Sequence, residues 1–288
     1  MTITEDRPDL IKRTADGRPY IIPPDGGKPR PYTRVSTFAR ALEDGASLVA
    51  WKQRMAVKGA VEHPELIPEG VDWTQPRFAA PVINTLMDAA GANDAAYYGT
   101  ALHSLSEIFD FTDDDLRQYN PSDQLLAGMD AYVEATKDIQ MLEGEVFVVN
   151  DEYGCAGTLD RLMLIPPTTI TMPDGQVLYL PDGAVCIGDI KTGTLHTQEN
   201  AIQMAMYAGG KRYDPITGER TPLHPDLDPR FGIIIHVPRI PKPGVIPASL
   251  VGIDLTAGVA LAELALEVRK SRSTKVVIGM NRERNSNG

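Results

Sequence analysis

The chain has 288 residues and only two cysteines, Cys155 and Cys186. Two thiols exclude a four-cysteine iron–sulfur cluster and an all-cysteine zinc site. They point to free thiols in a reducing compartment. Long apolar runs are missing as well. "FGIIIHV" is too short to cross a bilayer, and "LTAGVALAELALEV" is broken by glutamate. The first residues, "MTITEDRPD", carry no apolar signal core. The expectation is a cytoplasmic protein with no membrane partner. There is no G-x-x-x-x-G-K-[ST], so no nucleotide-driven motor is fused. Neither G-x-S-x-G nor H-E-x-x-H occurs, which leaves serine hydrolases and zincins without support.

A net positive charge is also absent. The balance is −11, which by itself argues against nucleic acid. The charge is uneven, however. Residues 11–60 hold ten Lys and Arg against four acids, and a second basic cluster runs from Arg269 to Arg284. Such asymmetry can mark a polyanion-binding surface on an acidic protein, and it fits solvated helix faces and tails equally well.

The 42% hydrophobic content supports a sizeable core. Residues 1–33 read as an extended Pro/Gly-rich arm. Apolar spacing predicts helices over 36–55, broken near Gly45, over 81–109, interrupted near Gly91, and over 122–141. From Glu143 the pattern alternates. Strands are expected at 145–149, 157–165, 184–191, 231–237 and 248–255, with a hairpin at 169–180 that should project from the sheet. Helices are expected at 198–213 and 256–272. The fold class is thus mixed α/β. An α-rich region (34–142) precedes a core of mixed sheet and helices (143–272), and 273–288 form a tail. Residues 34–272 form one compact unit.

Chemistry concentrates in four places. In "GDIKTG", Asp189 and Lys191 are two apart on a strand and so share a face, with the Ile190 carbonyl between them. A carboxylate there can hold a hard cation, and the ammonium can handle a water, though a bare D-x-K is more often a salt bridge. In "GTLDRL", alternation places Asp160 on the face opposite Leu159, Arg161 and Met163. An acid there needs a partner, either a metal or a basic side chain. In "GTALHSLSEIF", His103 lies on a helix, and Glu107 one turn on can support the imidazole. In "QENAIQMAMY", Gln203 and Tyr207 share a helix face and can reach a phosphate or steady the lysine. Each pattern alone is common in ordinary packed proteins.

Their order is more specific. G-x-x-x-H, G-x-x-D, D-x-K-T-G and Q-x-x-x-Y follow one another over residues 95–210, and this series resembles the RecB-like branch of the PD-(D/E)XK nuclease superfamily. That branch includes the RecB and AddB nuclease domains and the CRISPR-associated RecB-like exonucleases. The resemblance implies a restriction-endonuclease-like core and a DNA nuclease, expected to act as an exonuclease on ends or single strands. It implies Mg²⁺ or Mn²⁺ held by His103, Asp160, Asp189 and the Ile190 carbonyl. Lys191 would position the attacking water, with Gln203 and Tyr207 as accessory residues. Glu145, at the start of the preceding strand, is a weaker candidate for a second metal or for supporting the ligands, and an exposed strand end is the favoured expectation. It further implies a role in DNA recombination or repair, with a recombination or replication protein as a partner, and the stand-alone form resembles phage-encoded nucleases. The chain departs from many CRISPR-associated members in lacking the cluster cysteines, and from the usual motif spacing in its 169–180 hairpin. The competing expectation is a non-catalytic DNA- or partner-binding module on the same fold.

Overall fold

A computed structural model describes residues 10–239 and 247–276. The expected terminal tail lies outside the described residues from 277 on, and so do Arg282 and Arg284.

The arm is not featureless. It folds into a small hairpin, β1 (Tyr20–Ile21) with β2 (Arg30–Pro31), and then β3 (Thr33–Arg34) joins the main sheet. Five α-helices follow: α1 (Val35–Ala39), α2 (Ala46–Glu62), α3 (Pro76–Ala89), α4 (Asp94–Phe111) and α5 (Asp123–Thr136). Pro76 opens α3 where a missing N–H costs nothing, and the Ser122 side chain caps α5. The expected break near Gly91 separates α3 from α4, with Gly91 at φ 84°.

The second half begins with the long pair β4 (Gln140–Asn150) and β5 (Cys155–Ile165). The helix expected to reach residue 141 stops at Thr136, and β4 starts at Gln140, because pairing with β5 captures that stretch. Next come β6 (Thr168–Thr171), β7 (Val177–Leu180), β8 (Ala184–Lys191) and α6 (Thr197–Ala208). Then β9 (Lys211–Tyr213), β10 (Arg220–Thr221), β11 (Leu227–His236), β12 (Ser249–Asp254) and α7 (Leu255–Ser271) complete the chain. The helix expected over 198–213 is shorter, since its last residues become β9 on the edge of β4.

The main sheet has the order β10-β9-β4-β5-β8-β11-β12, with β3 also beside β5. It is mixed. β8 and β11 run parallel, joined through α6, while β4–β5, β5–β8 and β11–β12 are antiparallel. One face packs on α1, α6 and α7 through residues such as Phe38, Leu159, Ile187, Ile202 and Ala262. The other packs on α4 and α5 through Leu102, Tyr132, Met163, Ile190 and Phe231. A sheet covered on both faces explains why its strands read as near-continuous apolar runs.

The β6–β7 hairpin does not project as expected. It forms its own two-stranded sheet, and Met172, Leu178 and Leu180 are buried in the α4/α5 layer. Its alternation has one apolar face to bury, while Val177 and Tyr179 face outward. Among the described residues no helix is long and apolar enough to cross a membrane.

Candidate active site

The sheet positions the acids. β5 and β8 lie side by side as far as Arg161 opposite Gly188, so Asp160 and Asp189 sit on neighbouring strands just where their pairing stops. Asp160 Oδ2 accepts a hydrogen bond from Ile190 N at 2.8 Å. This bond fixes its carboxylate beside the Ile190 peptide. Helix α4 brings His103 across the same point. His103 Nε2 lies 3.0 Å from the Ile190 carbonyl oxygen, and Nδ1 lies 3.5 Å from Asp160 Oδ2. The expected imidazole partner was Glu107. Instead Asp160 and the Ile190 carbonyl flank the ring, and Glu107 lines the cavity beside it.

Two of the motif glycines make this approach possible. A Cβ on Gly99 would come within 3.0 Å of Thr192 Oγ1, so Gly99 lets α4 close on the loop after β8. A Cβ on Gly157 would come within 2.9 Å of the Tyr207 hydroxyl. Gly157 thus accommodates the tyrosine under β5.

Asp189 is almost wholly buried. Gln203 Nε2 donates to its Oδ1 at 3.0 Å, and Lys191 Nζ lies 2.5 Å from Oδ2. The glutamine therefore steadies the aspartate rather than the lysine. Oδ2 is thus ion-paired with the ammonium while Oδ1 is held by the amide. Burial, then Asp160, push the Asp189 carboxyl up to about 6, against the pull of Lys191. Burial alone would lower the Lys191 ammonium. Asp189 and Asp160 outweigh it, and the net shift is upward. Lys191 is therefore a fixed cation at neutral pH. Tyr207 is buried behind the acids, and burial with the fields of Asp160 and Asp189 raises its phenol well above the ordinary value.

Glu145 overturns its expectation. It is not an exposed strand end. It is half-buried opposite Asp160 and joins His103 and Asp160 in a group whose ligand atoms lie within 4.8 Å of one another. Its φ of 52° is left-handed, a costly conformation for a residue with a side chain. Burial, then Asp160 and Glu107, raise its carboxyl to about 7. The alternation rule also fails here. Leu159 packs in the α1/α6 layer and Met163 in the α4/α5 layer, although strict alternation puts both on one face. The side-chain pattern flips at the Asp160–Glu145 pair, which turns both carboxylates toward His103.

The sequence reading passed over Arg161. It is fully buried and donates to Asp110 Oδ2 (2.8 Å), to Ser106 Oγ (2.9 Å) and to the Asp160 carbonyl (2.7 Å). Ser106 in turn donates to the His103 carbonyl at 2.8 Å, and Tyr132 donates to Asp110 at 2.6 Å. This network ties the backbone behind His103 to the backbone behind Asp160. An arginine inside an apolar strand pattern was the one available signal.

Two cavities meet at His103. One, of about 620 Å³, is lined by Gly99, Thr100, His103, Glu107, Glu145 and Asp160. The other, of about 340 Å³, runs past Lys191 to the start of α6. Comparison with protein-family models and with curated proteins gives no match. The site must be judged on its own chemistry. One imidazole, several carboxylates and a carbonyl suit a hard or borderline divalent cation. Asp189 lies outside the compact trio, so Glu145 enters the ligand set first implied without it.

Proposed function

We propose that this chain is a divalent-metal-dependent DNA nuclease of the RecB-like kind, acting as an exonuclease on DNA ends or single strands. The observation that carries this reading is the convergence of His103, Glu145 and Asp160 beside the Asp189–Lys191 pair, where the pairing of β5 and β8 stops. His103, Asp160, Glu145 and the Ile190 carbonyl would hold Mg²⁺ or Mn²⁺, with Asp189 behind them. When bound, such an ion stabilises charge on a phosphodiester and makes water a better nucleophile.

The chain's own residues supply the rest. Lys191 would orient the attacking water and offer positive charge to the phosphate. Asp189 holds that ammonium in place, and Gln203 holds Asp189. Tyr207 supports from below and does not reach substrate. The Asp110–Arg161–Ser106 network keeps α4 and β5 in register. The exposed basic residues of the 11–60 segment, among them Arg30, Arg34, Lys52 and Arg54, would hold the phosphate backbone. In this reading the enzyme works in the cytoplasm, in DNA recombination or repair, with a recombination or replication protein as its partner.

The test uses labelled single- and double-stranded DNA, linear and circular, with Mg²⁺ or Mn²⁺. Wild-type protein should degrade linear substrates. Lys191→Ala should lose cleavage while remaining folded and DNA-bound. Undiminished cleavage by that variant would sink the assignment. A wild-type protein that binds DNA and cuts none of it would favour the binding-module reading.

A further inference from the structure

The second cavity, of about 340 Å³, adjoins the metal-ligand cluster but shares only His103 with the first. Its walls are rich in donors. Ser36 and Arg40 come from the first helical segment, Lys191 and Thr194 from the end of β8 and its loop, and His196 and Asn200 from the start of α6. Glu199 is the only acid among its lining residues, and Arg40 Nε donates to it at 2.9 Å.

Two independent features ask for an acceptor here. His196 occupies the N-cap of α6 without making a side-chain cap, so the first N–H groups of this twelve-residue helix have no side-chain acceptor there, and Glu199 in the first turn is engaged by Arg40. Asn200 is 4% exposed, lines the cavity, and its Nδ2 has no hydrogen-bond partner. A buried amide N–H without an acceptor costs free energy unless a ligand supplies one. Arg40 and Lys191 are already paired with Glu199 and Asp189, so the acceptor is asked for by the buried amide and the helix N-terminus, which suit an anion with several oxygens.

We propose that this cavity is a phosphate-binding subsite. In it Asn200 and the α6 N-terminus receive a phosphate of the DNA strand next to the one being cleaved. This rests on the nuclease reading for the identity of the strand, but not for the binding of phosphate. The phosphate is either a terminal monoester or an internal diester. Asn200 is then a substrate-positioning residue that the Q-x-x-x-Y pattern does not contain.

The test pairs two substitutions with two readouts. Asn200→Asp keeps the shape and places a negative charge against the phosphate. Thr194→Asp does the same from an exposed position on the loop after β8. Inorganic phosphate should raise the melting temperature of wild-type protein and have a clearly smaller effect on either variant. On DNA, either variant should raise KM about tenfold, with the loss falling on KM more than on kcat. Oligonucleotides with and without terminal phosphates separate the sources. A tenfold preference for phosphorylated ends assigns a monoester, and equal KM values assign an internal diester. Asn200→Leu adds a control on stability. The amide nitrogen makes no bond within the protein, so its loss should leave the melting temperature equal or higher while DNA binding weakens. Unchanged phosphate response and unchanged DNA affinity in both Asp variants overturn the subsite. Wild-type protein that responds to phosphate yet cleaves no DNA overturns the nuclease reading and leaves the subsite standing.

Discussion

Asp110→Asn tests whether the buried network behind the site holds it together. Arg161 is fully buried and the Asp110 side chain is 4% exposed, so neither charge has water to fall back on. Removing the carboxylate charge leaves a guanidinium in the core with weaker acceptors. Breaking one side of such a pair typically costs about 3–5 kcal/mol. Asparagine keeps one acceptor oxygen, which places the expected loss near the lower end. For a chain of 288 residues, an unfolding entropy of about 2.1 cal/mol/K per residue converts each kcal/mol into roughly 1.7 °C. The melting temperature should therefore fall by about 5 °C, and by no more than about 8 °C.

The site should feel the same change. Arg161 holds the Asp160 carbonyl directly and the His103 carbonyl through Ser106. Loosening both should weaken Mn²⁺ binding about tenfold, the range seen when groups that support metal ligands are removed. Replacing the whole pair, as Asp110→Leu with Arg161→Met, removes both charges and should recover most of the melting temperature without recovering metal affinity. Differential scanning calorimetry and Mn²⁺ titration read the two quantities. A fall below about 2 °C for the single variant, or a double variant no more stable than the single, would refute the reasoning.

Three substitutions probe other parts of the site. Gly157→Ala places a Cβ 2.9 Å from the Tyr207 hydroxyl and should destabilise the protein by about 1–3 kcal/mol, and Tyr207→Phe in the same chain should relieve most of it in chemical denaturation. Metal affinity should climb between pH 5 and 8, because protons on Asp189 (about 6) and Glu145 (about 7) compete with the cation, and Glu145→Gln should flatten the upper part of that rise. A pH-independent affinity would exclude Glu145 as a ligand. For the metal-free protein the sign runs the other way. The Glu145 pKa is raised on folding from 4.5 to about 7, so its contribution to stability is full below 4.5 and is lost as pH rises through 7. Unfolding followed from pH 4.5 to 8 should show a smaller loss in Glu145→Gln than in wild type, with the part owed to Asp189, raised to about 6, remaining in the variant.

The fold was largely legible because apolar periodicity decides it. The strands at 157–165, 184–191 and 231–237 and the helix at 256–272 fall within a few residues of β5, β8, β11 and α7. The misses lie where tertiary pairing overrides local pattern. Residues 140–144 follow a helix in sequence but are taken up by β5, and residues 211–213 by the edge of β4. At the site, the motif residues His103, Asp160, Asp189, Lys191 and Gln203 come together. Tyr207 comes close but stays buried, and its hydroxyl opposes Gly157, a relation no spacing rule reveals.

Glu145 is ranked too low, and Arg161 given no role, for one shared reason. Period-two reading assumes that a strand keeps its faces from end to end. Here Val146 and Leu159 are paired and belong to one layer, while the next pair but one, Gly144 and Arg161, turns to the other: Phe111 crowds Gly144 and Asp110 takes Arg161. The intervening pair, Glu145 and Asp160, belongs to neither layer. A side chain in that position escapes both cores and opens toward the cavity under His103. The left-handed φ at Glu145 is the conformational cost of the switch, and the buried Arg161 network is what holds the switched strand against α4. The irregularity and the candidate metal site therefore have one origin. Glu145→Gly, which removes the strain and one carboxylate together, should stabilise the fold slightly while weakening Mn²⁺ binding.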